Sequence, residues 1–237
     1  GCRDLTQDTT QNARWLTVAG GVTNSEDRKF YPAVYYRYNS GATNSASSYT
    51  KIEIKSSVST YDGSAERSDC AAAPVCTYAE EIQNFANWYT YYRSRVLLAR
   101  AGVGRAFTTQ GNNMRVGFGA INKGGSMIDG VSTSTLIAGV RQFSGVNRDN
   151  FFSNLYGHTI PAAGTPLRTA MQNVGEYLKR TDNKGPWSTT PGEDGGSQPV
   201  CRENYHILMS DGFWNGGDPS GIDNADNANG SSIVNHF

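Results

Sequence analysis

Cys76-Thr77-Tyr78-Ala79-Glu80-Glu81-Ile82-Gln83-Asn84-Phe85 reads as a helix start, and the alternation of helices and strands beyond it sets the class of fold. Thr77 is an N-cap residue whose hydroxyl can accept a backbone N–H, and Glu80, three positions on, completes a capping box. Glu81 adds negative charge where the helix dipole favours it. Apolar residues then recur at Ile82, Phe85, Tyr89, Tyr92, Val96, Ala99, Val103 and Phe107, in steps of three and four. Arg93, Arg100 and Arg105 fall late in the run, where a helix C-terminus favours cations. The pattern predicts one long helix from Thr77 to Phe107, buried along one face, with Phe85, Trp88, Tyr89, Tyr91 and Tyr92 serving core and interface packing.

Downstream, Met114–Ile121 reads as a strand, and Thr135–Val140, after a Gly-rich turn, as its antiparallel neighbour. Asn150–Tyr156 predicts a short helix, and Thr165–Leu178 an amphipathic one with Pro166 where the first turn tolerates it. Residues 181–200 form a Gly/Pro loop. Tyr205-His206-Ile207-Leu208-Met209 is a continuous apolar run of the kind found at the centre of a sheet covered on both faces. Strands alternating with helices predict an α/β fold with a largely parallel central sheet flanked by helices. Residues 1–76 are polar and irregular, with strand candidates at Ala33–Tyr38 and Lys51–Lys55. The expected division is therefore an insertion at 1–76 and a core at 77–237.

Composition excludes several classes. The chain has 237 residues, 37% of them hydrophobic, enough for a real core without staples. A mean hydropathy of −0.53, with no long apolar run, excludes a membrane span. Lys and Arg total 21 against 21 Asp and Glu. This balance argues against nucleic-acid or anionic-membrane binding, which draw on a basic surplus. Four cysteines suit disulfides in an oxidising compartment. Cys70 with Cys76 would close a short loop and leave Cys2 for Cys201, although four cysteines allow three connectivities. A start at Gly1 and an end at Asn235-His236-Phe237 read as cuts through a longer protein.

Two segments carry chemistry. Gly164-Thr165-Pro166-Leu167 opens a helix, and Met209-Ser210-Asp211-Gly212 comes after the apolar strand, positions where α/β folds bind ligands. A Thr hydroxyl and an Asp carboxylate converging there suit a hard cation such as Mg²⁺. The plainer alternative is that Thr165 caps its helix and Asp211 holds a turn with Gly212. Tyr35, Tyr36 and Tyr38 are candidates for contact with a glycan or a partner, because strand alternation exposes some of them, and a glycan-binding module is an alternative function. Asp218, Asp223 and Asp226 resemble a Ca²⁺ loop in composition, but the spacing reads as a solvated loop. No nucleophile elbow, His-Glu-x-x-His or phosphate loop is present, and His158, His206 and His236 accompany no marked nucleophile. The expectation is a protein without catalytic function.

The run Cys76–Tyr89 continuing through Thr90-Tyr91-Tyr92-Arg93-Ser94-Arg95, with Gly164-Thr165-Pro166-Leu167-Arg168 and Ile207-Leu208-Met209-Ser210-Asp211-Gly212-Phe213-Trp214-Asn215, resembles a von Willebrand factor A domain. Within that superfamily it is similar to the PilC/PilY type of type IV pilus-tip adhesin and biogenesis factor. The resemblance covers residues 70–217 well and 1–69 loosely. It implies a Rossmann-like domain with a disulfide-containing insertion, and a metal-ion-dependent adhesion site. There Thr165 would be a direct ligand and Asp211 would act through water. The first loop of that site, Asp-x-Ser-x-Ser, is not found; Asp62-Gly63-Ser64-Ala65-Glu66 comes nearest, with Glu66 replacing the last serine. The domain therefore reads as incomplete, and a divalent cation (Mg²⁺, else Ca²⁺ or Mn²⁺) is expected only in the complete one. The resemblance further implies export through the periplasm to the pilus tip or outer-membrane surface. Its partners would be minor pilins and a host or abiotic surface ligand.

Overall fold

Every strand among the described residues pairs with one antiparallel neighbour, and the chain divides into two compact units, Gly1–Leu98 and Ala99–Phe237. The computed structural model describes residues 3–16, 23–160, 163–199, 203–210 and 212–217. The mixture of helix and strand is as expected. The largely parallel central sheet is not found among these residues, which form two-stranded antiparallel sheets instead. The reason lies at 205–209. A central strand needs hydrogen-bonded neighbours on both edges, and no described segment pairs with this one. It runs irregular, with Tyr205 83% and Ile207 74% exposed. No helix among the described residues is long and apolar enough to cross a membrane.

In the first unit β1 (Thr9–Leu16) pairs with β2 (Thr23–Phe30), β3 (Val34–Tyr38) with β4 (Tyr49–Glu53), and β5 (Thr60–Asp62) with β6 (Val75–Thr77). The expected strands at 33–38 and 51–55 are β3 and β4. Helix α1 (Tyr78–Tyr91) comes directly after β6 and starts where the capping box places it. Thr77 Oγ1 accepts from the Glu80 amide at 3.4 Å, and Glu80 Oε2 accepts from the Thr77 amide at 2.8 Å. Glu80 Oε1 also takes the Ala71 amide at 2.8 Å, so the cap ties down the loop before β6 as well. The Cys70–Cys76 disulfide closes that loop. The core comprises Ala33, Ile54, Tyr61 and Phe85, with Tyr35, Ile52, Ile82 and Tyr89 packed against it. Helix α1 supplies Phe85 to this core and lies within the first compact unit.

The single long helix is two. α1 ends at Tyr91, and α2 (Arg95–Thr108) starts after a break at 92–94. Thr90, Tyr91 and Tyr92 are weak helix formers. The Ser94 hydroxyl then accepts the Leu97 amide at 3.3 Å, as an N-cap does. The apolar stripe splits accordingly: Ile82, Phe85 and Tyr89 belong to the first core, Val103 and Phe107 to the second.

In the second unit β7 (Arg115–Gly119) pairs antiparallel with β10 (Leu136–Gln142), as expected, through a register broken by two irregularities. Between them lies a hairpin, β8 (Ser126–Ile128) and β9 (Val131–Thr133), turned by Asp129-Gly130. Both turn residues have positive φ (52° and 83°), the requirement of a type I′ turn. α3 (Gly145–Gly157) buries Phe151 and Leu155 with Phe143 against Phe107, Val116 and Phe118. The Phe107 and Phe151 rings lie 4.9 Å apart. Next come α4 (Leu167–Leu178) and, over the described residues 181–199, the irregular loop that Gly/Pro content predicts.

One carboxylate joins three of these elements. Asp129 accepts from the Tyr177 hydroxyl at 2.6 Å and from both terminal nitrogens of Arg141. The Tyr177 oxygen in turn accepts the Val140 amide at 2.9 Å. Gly139 must be glycine, since a Cβ there would come 2.1 Å from Asp129 Oδ2. Burial works to raise the Asp129 pKa, but the hydrogen bonds from Arg141 and Tyr177 outweigh it and hold the carboxyl below its ordinary value.

Because Asp129 is depressed on folding, its stabilisation is present above the unfolded value near ~4 and is lost as pH falls through the folded one. Urea midpoints measured from pH 6 to pH 2 should therefore fall more for the wild type than for Asp129→Asn. Tyr177→Phe, which orphans the Val140 amide, should cost about 1–3 kcal/mol at neutral pH. In the first unit Glu81 is 4% exposed and takes Arg67 at 2.5 Å. Arg67→Met should cost about 3–5 kcal/mol in denaturant unfolding, whereas the pair Arg67→Met, Glu81→Leu should recover most of it.

Candidate functional site

The segment opening α4 and the segment after Ser210 meet, and backbone groups hold them together. Thr165 donates its amide to Asn215 Oδ1 at 2.7 Å, and the Asn215 amide donates to the Thr165 carbonyl at 3.0 Å. The two residues thus bridge reciprocally, fifty positions apart in sequence. Gly164 lies against the same side chain: a Cβ there would approach Asn215 Oδ1 to 2.6 Å, so only glycine permits the contact. Its carbonyl accepts from Asn122 Nδ2 at 3.0 Å. Asn122 has φ 60°, a left-handed conformation that asparagine tolerates. Arg168, the second residue of α4, donates to the Gly216 carbonyl at 3.2 Å and stands over the Trp214 ring at 5.9 Å. Three loops, around 122, 164–166 and 214–216, therefore converge at the N-terminus of α4.

Thr165 does not cap this helix through its side chain. The N-cap position falls on Pro166, which makes no side-chain cap bond. The Thr165 carbonyl accepts the Leu167 amide at 2.8 Å as well as that of Asn215, which leaves its structural role to its backbone. Its partner in the metal reading, Asp211, lies outside the described residues. On either side of it, Ser210 Oγ accepts the Gly212 amide at 3.3 Å, and Gly212 takes φ 135°. Among the described residues this place therefore offers neutral side-chain oxygens, Thr165 Oγ1 and an Asn215 Oδ1 already taken by the Thr165 amide, and no carboxylate. Mg²⁺ asks for six oxygens in near-octahedral array, so the described residues do not complete a donor set.

The other candidates are distributed as follows. Asp62 ends β5 and Ser64 begins the next turn; both are exposed, and they belong to the first unit. The Asp62 carbonyl accepts from Arg37 at 3.4 Å and the Ser64 carbonyl accepts the Arg67 amide at 3.0 Å. Cys70 and Cys76 are bonded as anticipated, whereas Cys2 and Cys201 lie outside the described residues, as do Asp218, Asp223 and Asp226. Asp69 stands beside the disulfide, forming the one cluster of three metal-capable side chains among the described residues, but both sulfurs are spent in the bond. Tyr35 is half-buried and packs on the first core, whereas Tyr36 and Tyr38 face outward. Burial, with a hydrogen bond to Glu81, pushes the Tyr35 phenol up to about 12.

Asn215 and Asn122 are the residues that sequence reasoning left without a role. Asn215-Gly216 could have been read as a turn bringing an amide side chain to a loop, but nothing in the sequence names its partner fifty residues away.

Asn215→Ala should release the Thr165 amide, speeding its hydrogen exchange about fivefold for the loss of one bond worth roughly 1 kcal/mol. Asn215→Asp retains an acceptor and should leave that protection in place. Equal exchange in all three proteins would remove the side-chain bridge.

No family model and no solved structure matches this chain. Curated relatives do. The chain is 35% identical over 214 residues to type IV pilus biogenesis factor PilY1 of Pseudomonas aeruginosa strain PAK, an alignment covering 89% of this chain and 16% of that protein. It is 40% identical over 150 residues to PilY1 of strain PAO1, covering 62% of this chain and 13% of the relative. With PilY1 of strain UCBPP-PA14 the identity is 36% over 167 residues, covering 65% and 14%. The chain spans about a sixth or less of the length of these relatives. It is homologous to a segment of type IV pilus biogenesis factor PilY1.

Proposed function

We propose that this chain is a non-catalytic module of a type IV pilus tip protein, working in pilus assembly and adhesion at the cell surface. The observation that carries this reading is the 35% identity to PilY1 along 89% of the chain. Export to an oxidising compartment fits the Cys70–Cys76 disulfide. The partners of the module are minor pilins of the tip complex and a ligand on a host or abiotic surface.

The same reading treats the second unit as part of a von Willebrand factor A domain. In support, the two segments that the resemblance assigns to one adhesion site are adjacent in space through the Thr165–Asn215 bridge. Thr165 would bind a divalent cation directly and Asp211 through water, with further oxygens from a loop outside residues 1–237. The bound cation would supply an open coordination position for an acidic group of the ligand. This chain's own residues hold the Thr165 loop in place before any metal arrives.

A scaffold without a metal site is the second reading, favoured by a place that, among the described residues, holds no carboxylate. The two separate on Thr165→Ala and Asp211→Ala made in the complete protein. Adhesion lost by at least about tenfold, with pili assembled in normal number, supports the metal-dependent adhesion site. Unchanged adhesion and piliation supports the scaffold. Calorimetry with Mg²⁺ and Mn²⁺ on a chain extended upstream should show binding that Asp211→Ala abolishes.

A further inference from the structure

Alternate residues of the β3–β4 hairpin put three aromatic rings, Lys51 and Glu53 on one outward face. The register pairs Tyr38 with Tyr49, Tyr36 with Lys51, and Val34 with Glu53, and these six side chains share that face. Tyr35 and Ile52 pair on the opposite face and pack on the core. Tyr36 is 64% and Tyr38 48% exposed, large values for rings that a hairpin could have turned inward.

The platform is rigid as it stands. The Tyr38 hydroxyl donates to the Gly41 carbonyl at 2.7 Å, and the Tyr49 hydroxyl to the Thr43 carbonyl at 2.8 Å. The two rings meet edge to face, centroids 5.5 Å apart. The connecting loop is cinched by the Asn39 amide on the Ser48 carbonyl at 2.8 Å and by Ser48 Oγ on the Ala42 carbonyl at 2.8 Å. Little ordering is left for a ligand to impose, which favours binding by a preformed surface. With both phenol hydrogens spent inward, these two rings offer carbon surface. Beside them Lys51 Nζ reaches Glu53 Oε1 at 2.6 Å and Lys55 Nζ pairs with Glu53 Oε2, two ammonium groups on one carboxylate.

We propose that this face binds a carboxylated pyranose of a surface glycan. A pyranose presents an axial C–H face that stacks on an aromatic ring, and hydroxyls at its edge that bond ammonium and carboxylate groups. The excess positive charge of the Lys51–Glu53–Lys55 triad complements a sugar carboxylate. A protein partner is the poorer fit, because the core of a protein interface is depleted of lysine and glutamate, which here stand in register with the rings. This surface belongs to the first unit and goes beyond the metal reading, which it does not require.

The test uses the 237-residue chain in calorimetry and saturation-transfer NMR, with sialyllactose, a galacturonate oligomer and neutral lactose as probes, in the presence of EDTA. Binding of a carboxylated probe is expected, weakened about tenfold by the double change Tyr36→Ala, Tyr38→Ala. Tyr36→Phe, which keeps the ring, should bind like the wild type, and an unchanged urea midpoint in the alanine protein separates loss of the rings from misfolding. Lys51→Ala should weaken the carboxylated probes and remove their dependence on salt. No binding of either carboxylated probe, or binding unchanged in the double alanine protein, overturns the proposal. So does equal affinity for lactose, or loss of purified minor-pilin binding in the alanine protein with glycans inert. Because EDTA removes divalent cations, none of these outcomes depends on the site at Thr165.

Discussion

The carboxylate of Asp129 is the constraint on which the second unit rests. Buried carboxylates are costly unless paired and hydrogen-bonded, and this one is satisfied from two further elements at once. Arg141 comes from β10 and Tyr177 from α4, while the Asp129 carbonyl takes Arg180 just beyond α4 at 2.8 Å. A two-residue turn thereby fixes the position of a helix nearly fifty residues later in the chain. The consequence reaches the candidate site, since the start of α4 is where Thr165 meets Asn215 and Gly164 meets Asn122. The first unit uses the same device. Glu81, buried on the first turn of α1, takes Arg67, and Arg67 also holds Asp69 at 2.6 Å next to the disulfide. In each unit a short irregular segment is fastened by one enclosed carboxylate and its polar partners, not by a broad apolar face.

That difference explains which parts of the fold were legible in the sequence. Thr77 with Glu80 announced α1 because a capping box is a local signal, complete within four residues. β3, β4, β7 and β10 showed themselves through β-branched and aromatic runs. The β8–β9 hairpin passed as a Gly-rich turn, although Asp129-Gly130 between Ile128 and Val131 is a strong two-residue hairpin signal. β1 and β2 left no comparable mark. Their described side chains are largely exposed and polar, as in Asn12 bonded to Asp27 at 3.2 Å, so no apolar alternation records which face is which. β5 and β6 are three residues each, too short for a period to register.

The two misreadings have a common physical origin. Both the unbroken helix from Thr77 to Phe107 and the central strand at Tyr205–Met209 were inferred from apolar pattern alone. A pattern states which residues can be buried, not what they are buried against. In the first case the stripe serves two separate cores, and Ser94 marks the change with its hydroxyl. In the second, Tyr205, Ile207 and Met209 carry a strand's composition without a strand's hydrogen bonds, and their side chains stand exposed. The site residues obey the same rule. Thr165 was locatable because it opens a helix, whereas the residue that holds it, Asn215, acts across fifty positions and has no local signature.

The two candidate surfaces differ in how far each is built from this chain. At Thr165 the backbone is fixed by a reciprocal bridge, yet among the described residues no carboxylate stands there for a task that calls for six oxygens. On the β3–β4 face every component is present. The rings are anchored through their own hydroxyls, the loop is cinched, and the triad is assembled around Glu53, whose carboxyl the Lys51 and Lys55 hydrogen bonds pull down to about 2. Such a surface stays ionised and ordered across the pH range of most surroundings. Contact with a glycan through rings and ammonium groups would thus be weak per site, available at once and sensitive to salt. A metal-bridged contact would be stronger and conditional on the cation. A pilus-tip protein carrying both could touch a surface by the first and hold it by the second.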